Sequence, residues 1–445
     1  MNTPICDFVK KYAENSNLRL HMPGHKGTSF LGIEHLDITE IQGADVLYSA
    51  EGIIKESMDN AASLFSTAKT LYSTEGSSLS IRAMLYLLKL YAKEKGRTPL
   101  ILAGRNAHKA FLSAAALNDF NVDWLYPEKS EGLLSLKVTP EKLRAHLEKC
   151  KEMPVALYIT SPDYLGNVSN IKELSALCRE FGLLLLVDNA HGAYLNFLKE
   201  SAHPIALGAD ICCDSAHKTL PVLTGGGYLH ISKNAPEIFI EQAENAMSLF
   251  ASTSPSYLIL QSLDMANRYL AKGYKEKLSA FTEKSQNIKK ALTQKGYTLF
   301  GDEVLKITIC AKKYGYLGTE LAEILKGKNV ICEFADKDFL TLMLTPENEE
   351  NLNELKDVLL GIEKRQKIND APPCVTVPKK AMGIRDALFC QSIEVNAKEA
   401  SGKILASYNV SCPPAVPIAV CGEIIDENAL TAFEYYGIEK LRIVK

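Results

Sequence analysis

Five short apolar runs constrain the fold of this chain more than any other feature. They are PLILAG (Pro99–Gly104), VALYIT (Val155–Thr160), LLLLVD (Leu183–Asp188), ADICCD (Ala209–Asp214) and GYLHIS (Gly227–Ser232). Runs that are apolar on both faces suit strands covered on both sides, as in a largely parallel sheet. Amphipathic stretches separate them. Ser77–Gly96 carries Leu, Ile and Met at helical spacing and stops at a glycine. Asn170–Gly182 has an N-cap residue at its start and a C-cap glycine at its end. Strands alternating with helices predict a doubly wound α/β domain. Ligands of such domains sit beyond the carboxyl ends of the strands.

The chain has 445 residues, more than one compact core accommodates. Residues 1–50 are irregular and rich in Gly, His and Asp, and are expected to form an arm. The α/β domain is expected over 51–275 and a small α+β domain over 276–368. The small domain would open with a long charged helix and contain the strands VLKITIC (Val304–Cys310) and FLTLMLT (Phe339–Thr345). A proline-bearing linker (Asn369–Lys380) then leads into a subdomain over 369–445. That tail is expected to hold one more helix, NAKEASGKILA (Asn396–Ala406), and a proline loop, SCPPAVPIAVCGE (Ser411–Glu423).

Charge excludes some functions. A net charge of −3 argues against coating nucleic acid or binding an anionic membrane surface. No stretch approaches the roughly 20 apolar residues that span a bilayer, and the N-terminus lacks the basic start and apolar run of a signal peptide. The 11 cysteines show no framework and no paired C-x-x-C, so reduced thiols in a cytoplasmic protein are expected. His21 and His25 flank Pro23 and Gly24, which preclude a helical ligand pair, and no carboxylate cluster joins them. No metal is expected.

Three features fall at strand ends. In STEGSS (Ser73–Ser78), Gly76 allows close backbone approach, and Ser77 and Ser78 set hydroxyls and N–H groups at a helix start, which favours a phosphate. The plain alternative is a serine cap. In VDNAHG (Val187–Gly192), Asp188 ends an apolar strand, where a carboxylate needs a cation or donor. A protonated pyridine nitrogen would serve, with the small Ala190 lying against a flat ring; a turn-starting Asp is the alternative. In DSAHKTLPVLTGGG (Asp214–Gly227), Lys218 stands at a strand end with hydroxyl and imidazole neighbours. A phosphate cup, a ring carboxylate and a lysine in that order are the pattern of a pyridoxal 5'-phosphate (PLP) site.

The chain resembles the Orn/Lys/Arg decarboxylase family of fold-type-I PLP-dependent enzymes, in the short form without an N-terminal receiver-like domain. The likeness is carried by LRLHMPGHKG (Leu18–Gly27), DITEIQGADVL, RNAHKA (Arg105–Ala110), TSPDYLGNVSNI, VDNAHGAY, DSAHKTL, STSPSYLILQSLD (Ser252–Asp264) and SYNVSCPPAVPIAVCGE, in the family's order. It implies an aspartate-aminotransferase-like large domain with a mainly parallel sheet and a smaller α+β C-terminal domain. It also implies a homodimer or higher homo-oligomer acting on a small-molecule amino acid.

By the same resemblance Lys218 would anchor the cofactor, Asp188 would hold the pyridine nitrogen protonated, and His108 and Ala190 would lie on the two ring faces. Gly76, Ser77, Ser78, Ser215 and His217 would surround the phosphate, with His191 near the ring edge. Ser254 or Ser256 would approach a neighbouring subunit's cofactor. The implied reaction is decarboxylation of arginine, lysine or ornithine to the amine, within polyamine-related metabolism, with Lys218 or His217 returning a proton to the α-carbon. Asp45 and Glu423 are candidates for the acid that meets the substrate's basic side chain.

The chain departs from the family's usual residues at LFSTAKT, Glu75, Val46 and the Gly225–Gly227 run, which affects substrate identity more than the cofactor shell. Two rival readings stand beside the first. An aminotransferase or β-eliminating lyase would use the same shell and hold the substrate carboxylate with an arginine such as Arg365 or Arg385. A catalytically silent PLP-binding homologue is the other.

Overall fold

The structure is a computed structural model that describes residues 1–15, 17–127, 132–373, 376–408, 410–412 and 415–445. Cys374 and Val375 of the expected linker lie outside the described residues, as do Asn409, Pro413 and Pro414 of the proline loop. Seven strands, β1 (Lys69–Ser73), β2 (Leu100–Gly104), β3 (Asn121–Leu125), β4 (Ala156–Thr160), β5 (Leu184–Asp188), β6 (Ile211–Asp214) and β7 (Gly227–Ile231), form a sheet in the order β1-β7-β6-β5-β4-β2-β3. β2 runs parallel to β3 and β5 to β6, while β7 is antiparallel to both β6 and β1. The sheet is therefore mainly parallel, and each of the five apolar runs supplies one of its strands.

β1 and β3 have no counterpart among those runs. KTLYS has only Leu71 and Tyr72 between polar ends, and NVDWL begins on an exposed Asn121 and includes Asp123. Both are edge strands of the sheet, so neither needs the two-faced apolar pattern of the central ones.

By its internal contacts the chain divides into two compact units. The first comprises Met1–Thr98, Val155–Leu157 and Ile171–Glu276; the second comprises Pro99–Pro154, Tyr158–Asn170 and Lys277–Lys445.

In the first unit, helix α1 (Pro4–Glu14) buries Ile5 and Val9, and α2 (Ile53–Phe65) buries Ile54, Met58, Ala61 and Phe65. Helix α3 (Gly76–Glu94) follows β1 and buries a nearly continuous run from Leu79 to Leu88. Such a helix is apolar over most of its circumference because it is covered on more than one side. It gives way at Gly96, whose φ of 62° needs a residue without a Cβ penalty.

In the second unit, the long helix Tyr274–Lys295 ends before a four-stranded antiparallel sheet. That sheet contains Lys306–Cys310 and Phe339–Met343, paired so that Ile307 faces Leu342 and Ile309 faces Leu340. A second core gathers Leu133, Leu165, Phe334, Leu405, Ile425, Phe433 and Ile443.

The tail departs from expectation at Asn396–Ala406. Ser392–Asn396 is a strand paired antiparallel with Lys440–Val444, and only a 3-10 turn over Ala397–Glu399 follows. Asn396 caps that turn by accepting from the Lys398 N–H, and Gly402 then takes a φ of 72°. The Asn side chain and the Ser401–Gly402 pair favour capping and turning over continued helix. The tail's helices are Ile384–Phe389 and Glu427–Tyr435.

Candidate active site

The site is built in the first unit, where the ends of β5 and β6 meet the start of α3. Asp188 is the last residue of β5 and only 2% exposed. One of its oxygens accepts the Ala190 N–H at 3.2 Å and lies 3.7 Å from the Cys213 thiol. Burial raises that thiol's pKa well above its ordinary value, and the neighbouring carboxylate of Asp188 raises it further, so Cys213 stays a neutral donor. Ala190 and His191 follow in the turn after β5, and both are buried.

Lys218 sits in the short helix Ala216–Thr219 just beyond β6. Its Nζ lies 3.0 Å from Nε2 of His191. Ser215, at the junction of β6 and that helix, donates its hydroxyl to Ser77 Oγ at 2.9 Å. This contact ties the end of β6 to the first turn of α3, where Ser78 also lies. His217 is held through Nδ1, 2.8 Å from the Gly226 carbonyl oxygen.

The glycine run has a steric reason. The Gly76 N–H donates to the Gly225 carbonyl at 2.7 Å. Gly225 adopts a φ of 100°, and a Cβ there would stand 2.8 Å from the Thr74 carbonyl oxygen. A Cβ on Gly227 would stand 2.8 Å from the Asp214 carbonyl oxygen. The run lets the chain cross beside the start of α3 at a distance no side chain permits.

Other candidates are placed elsewhere or spent on structure. Asp45 has a φ of 69°, and its carboxylate accepts N–H groups from Val46, Glu51, Gly52, Ile54 and Lys55. Burial opposes ionisation, but those donors hold its pKa below the usual carboxylate range. It brackets the start of α2, which argues against the substrate role expected for it. Ser256 caps the helix Tyr257–Ala271 by accepting from the Ile259 N–H, and the Ser254 N–H donates to Ser252 Oγ. The Ser252 N–H in turn donates to Glu75 at 2.8 Å, so this loop is tethered beside the first residues of α3.

Four candidates belong to the second unit. His108 caps the helix Lys109–Leu117, its Nδ1 accepting from the Ala110 N–H. Glu423 is buried, with a carboxylate oxygen 2.7 Å from the Val420 N and 3.4 Å from Arg105 Nη2. Burial raises its pKa despite the guanidinium. Arg105 also donates to the Pro417 and Ile418 carbonyls, so Glu423 belongs to a buried brace of the proline loop. Of the arginines an aminotransferase would need, Arg365 lies over the Tyr316 ring at 4.2 Å and Arg385 donates to the Ala116 carbonyl. Neither is held ready for a substrate carboxylate. His21 contacts the Tyr12 hydroxyl and His25 the Asp37 carboxylate, in the first unit.

Sequence reasoning missed the polar cluster beneath this site. Asn189 donates to Asp214 Oδ1 at 2.7 Å, and the other oxygen of Asp214 faces His203 and His230. Burial would raise the Asp214 carboxyl, but the two imidazoles outweigh it and hold the pKa well below the usual range. Asp214 opens the stretch that contains Lys218, yet its partners lie at distant positions and carry no local signal.

Residues 3–312 match the family model for the Orn/Lys/Arg decarboxylase major domain. The chain belongs to the Orn/Lys/Arg decarboxylase family, and is thereby an amino-acid decarboxylase. It is 28% identical over 461 residues to an arginine decarboxylase of Bacillus subtilis (strain 168), covering 96% of this chain and 92% of that one. An arginine decarboxylase of Halalkalibacterium halodurans is 27% identical, with the same coverage of both chains. Among solved structures, lysine decarboxylase A of Pseudomonas aeruginosa superimposes with a TM-score of 0.80 at 16% identity, over 99% of this chain and 80% of that one. That likeness shows the shared fold. Among the described residues, no helix is long and apolar enough to cross a membrane.

Proposed function

We propose that this chain is a PLP-dependent decarboxylase of a basic amino acid, with arginine as its substrate, and that it works in the cytoplasm as a homodimer. Arginine is preferred because the curated relatives named for it match over more than nine-tenths of their length. A Pseudomonas aeruginosa lysine decarboxylase matches over 39% of its length.

The single observation that carries the cofactor is the convergence of Lys218 with His191, of Ser77 with Ser215, and of a buried carboxylate at Asp188. This donor set fits PLP. The first turn of α3 offers N–H groups without partners inside the helix, and Ser77, Ser78, Ser215 and His217 stand around it, as a phosphate requires. The space beside Gly76 fits as well: a Cβ there would meet nothing closer than His217 Cε1 at 3.8 Å. Asp188 would hold the ring nitrogen, Ala190 would take one ring face, and Lys218 would be the covalent anchor.

Bound there, PLP supplies an electron sink for the pair left behind as carbon dioxide departs. The residues do the rest. Asp188, buried at the end of β5, would keep a proton on the ring nitrogen. His191 Nε2 lies 3.0 Å from Lys218 Nζ, within reach to exchange a proton with that amine. With the carboxylate gone, Lys218 Nζ would return a proton to the α-carbon, with His217 as the alternative. The turn at Asp188–His191 is buried and closes one side of the site to water.

The test is product analysis of the purified protein with arginine, lysine and ornithine. Carbon dioxide and agmatine from arginine are expected, with roughly 10-fold or more preference over the other two, because head-group shape and length discriminate by about 1–3 kcal/mol. Keto-acid formation without carbon dioxide would make the protein an aminotransferase. Lys218→Ala is expected to lose the visible cofactor absorbance and activity by roughly 10³-fold or more. A Lys218→Ala variant as active as the wild type would defeat the whole assignment.

A further inference from the structure

The turn after β5 carries Asp188, Ala190 and His191, and Asn189 in the middle of it is fully buried. Two contacts tie Asn189 to β6, the strand that leads to Lys218. Its backbone N–H donates to the Cys213 carbonyl at 2.9 Å, and its side-chain Nδ2 donates to Asp214 Oδ1 at 2.7 Å. The second contact decides which way the amide points. Asn189 Oδ1 is also buried, and it accepts no hydrogen bond among the described residues. A buried acceptor left so is costly. Turning the amide over would set that oxygen against the Asp214 carboxylate, so the charge on Asp214 holds the amide as it is.

That charge is kept from the other side. Asp214 Oδ2 lies 3.1 Å from His203 Nε2 and 3.3 Å from His230 Nε2, and all three side chains are fully buried. His203 Nδ1 accepts the Ile205 N–H at 3.4 Å, so the proton of that ring sits on Nε2 and points at Asp214. His230 Nδ1 pairs with Thr70 Oγ1 at 2.9 Å, which fixes the second ring. The Phe65 ring lies 4.4 Å from the His230 ring and 5.3 Å from that of His203. Both carboxylate oxygens of Asp214 are therefore engaged, one by the imidazoles and one by Asn189.

Gly192 closes the arrangement at the far end of the turn. A Cβ there would stand 2.0 Å from Asn189 Oδ1 and 2.7 Å from Leu195 Cδ1. Its φ of −118° is open to any residue. The glycine is required by the space that Asn189 and Leu195 fill, and not by its own backbone.

We infer that Asn189 and Asp214 are positioning residues: the buried Asp214 carboxylate, held by His203 and His230, clamps the Asn189 amide and so sets the turn on which Asp188 and His191 stand. The inference rests on the reading of Asp188 and Lys218 as cofactor residues. Asp188 immediately precedes Asn189. His191, two residues beyond it, lies 3.0 Å from Lys218 Nζ through Nε2. With the Asn189 amide released, the Cys213 carbonyl is the one tie left between Asn189 and β6, and the Asp188 carboxylate and the His191 imidazole shift together. Asn189 and Asp214 act through the turn and not on the reacting atoms.

The experiment measures PLP affinity, turnover and the pH midpoint of the visible cofactor band in the full-length protein. Asn189→Ala should lower affinity and turnover by roughly 10–100-fold, as loss of an outer contact or a small misplacement does. It should also move the band's midpoint upward, because a ring proton held less well by Asp188 leaves the Lys218 nitrogen more basic. Asn189→Asp sets two carboxylates face to face and should lose more. Combining Asn189→Asp with Asp214→Asn restores an amide–carboxylate pair with the roles reversed, and should return affinity and turnover to within about 10-fold of the wild type. Gly192→Ala leaves the charged cluster untouched but drives the Asn189 side chain away, so it should reproduce the Asn189→Ala effects. It decides the matter should the Asn189 variants fail to fold. A wild-type protein without a visible cofactor band defeats the proposed function and this inference with it. A normal wild-type band defeats the clamp alone if Asn189→Ala and Gly192→Ala match the wild type in affinity and midpoint, or if the exchanged pair is as impaired as Asn189→Asp.

Discussion

Ser215 and Ser77 stand 138 positions apart in sequence, and their hydroxyls meet at 2.9 Å. Each is a small side chain, so replacing either leaves the packing nearly intact. On the proposed function, their value lies in the oxygen they would offer to a phosphate at the start of α3. Ser215→Ala should weaken binding of the cofactor by roughly 10–100-fold, the loss of one hydrogen bond to a charged group at about 1.5–3 kcal/mol. Titrating cofactor-free protein with PLP measures this directly. Unchanged affinity would remove Ser215 from the phosphate cup. His191 and Lys218 form the same kind of pair across 27 positions. At this scale the sequence was informative: Asp188 ends an apolar strand and Lys218 follows one by four residues, and an unexplained charge beside a strand end is what drew attention to both. Asp45 and Glu423 show the limit, because a carboxylate's sequence neighbours do not reveal how many N–H groups it accepts.

At the scale of elements, the segment between Lys218 and β7 is set by how closely backbone must approach backbone. Gly225 combines a φ of 100° with a Cβ position 2.8 Å from the Thr74 carbonyl oxygen. Gly225→Ala should therefore destabilise the protein by about 1–3 kcal/mol, from backbone strain and displacement of the turn. Thermal or denaturant unfolding reads the loss, and cofactor affinity should fall with it. Asp210, at the entry to β6, adds a pH dependence. Burial pushes its pKa up to about 6, although its carboxylate accepts the Leu185 N–H at 2.7 Å. The folded state therefore binds the proton more tightly than the unfolded state, whose carboxyl titrates near 3.9. The stabilisation is complete below about pH 4 and lost as pH rises through about 6, a swing on the order of 1–3 kcal/mol. Asp210→Asn should flatten that part of the stability-versus-pH curve, measured by denaturant unfolding between pH 4 and 7, while keeping the acceptor for Leu185. A slope unchanged by the substitution would exclude Asp210 as its source. The helix expected at Asn396–Ala406 failed at this scale because capping and turn residues outweighed the helix formers around them.

Across the whole molecule, Arg105 and Glu423 are 318 positions apart and meet inside the second unit. The Arg105 guanidinium is 1% exposed, stacks 5.5 Å from the Trp124 ring centre, and serves two carbonyls of the proline loop besides Glu423. Removing one partner of a buried pair leaves a desolvated charge. Glu423→Ala should cost about 3–5 kcal/mol. A loss within about 0.5 kcal/mol would show the pair to be incidental. Whether decarboxylation falls in proportion to folded protein separates this bracing role from a direct part in substrate binding.

By itself the sequence determined the α/β class, five of the sheet's seven strands and the helix that begins at the serine pair, and it singled out the lysine and aspartate on which the proposed function rests. Those follow from periodicity, capping and the cost of burying charge, all of which act over a few residues. Tertiary structure alone decided that Ser77 meets Ser215, that His191 meets Lys218, that Asp45 accepts the N–H groups at the start of α2, that Glu423 meets Arg105, and that Asp214 lies between two histidines. Strand register and loop path set those encounters, and the free energy that fixes them comes from packing between segments far apart in the chain, which no local pattern records.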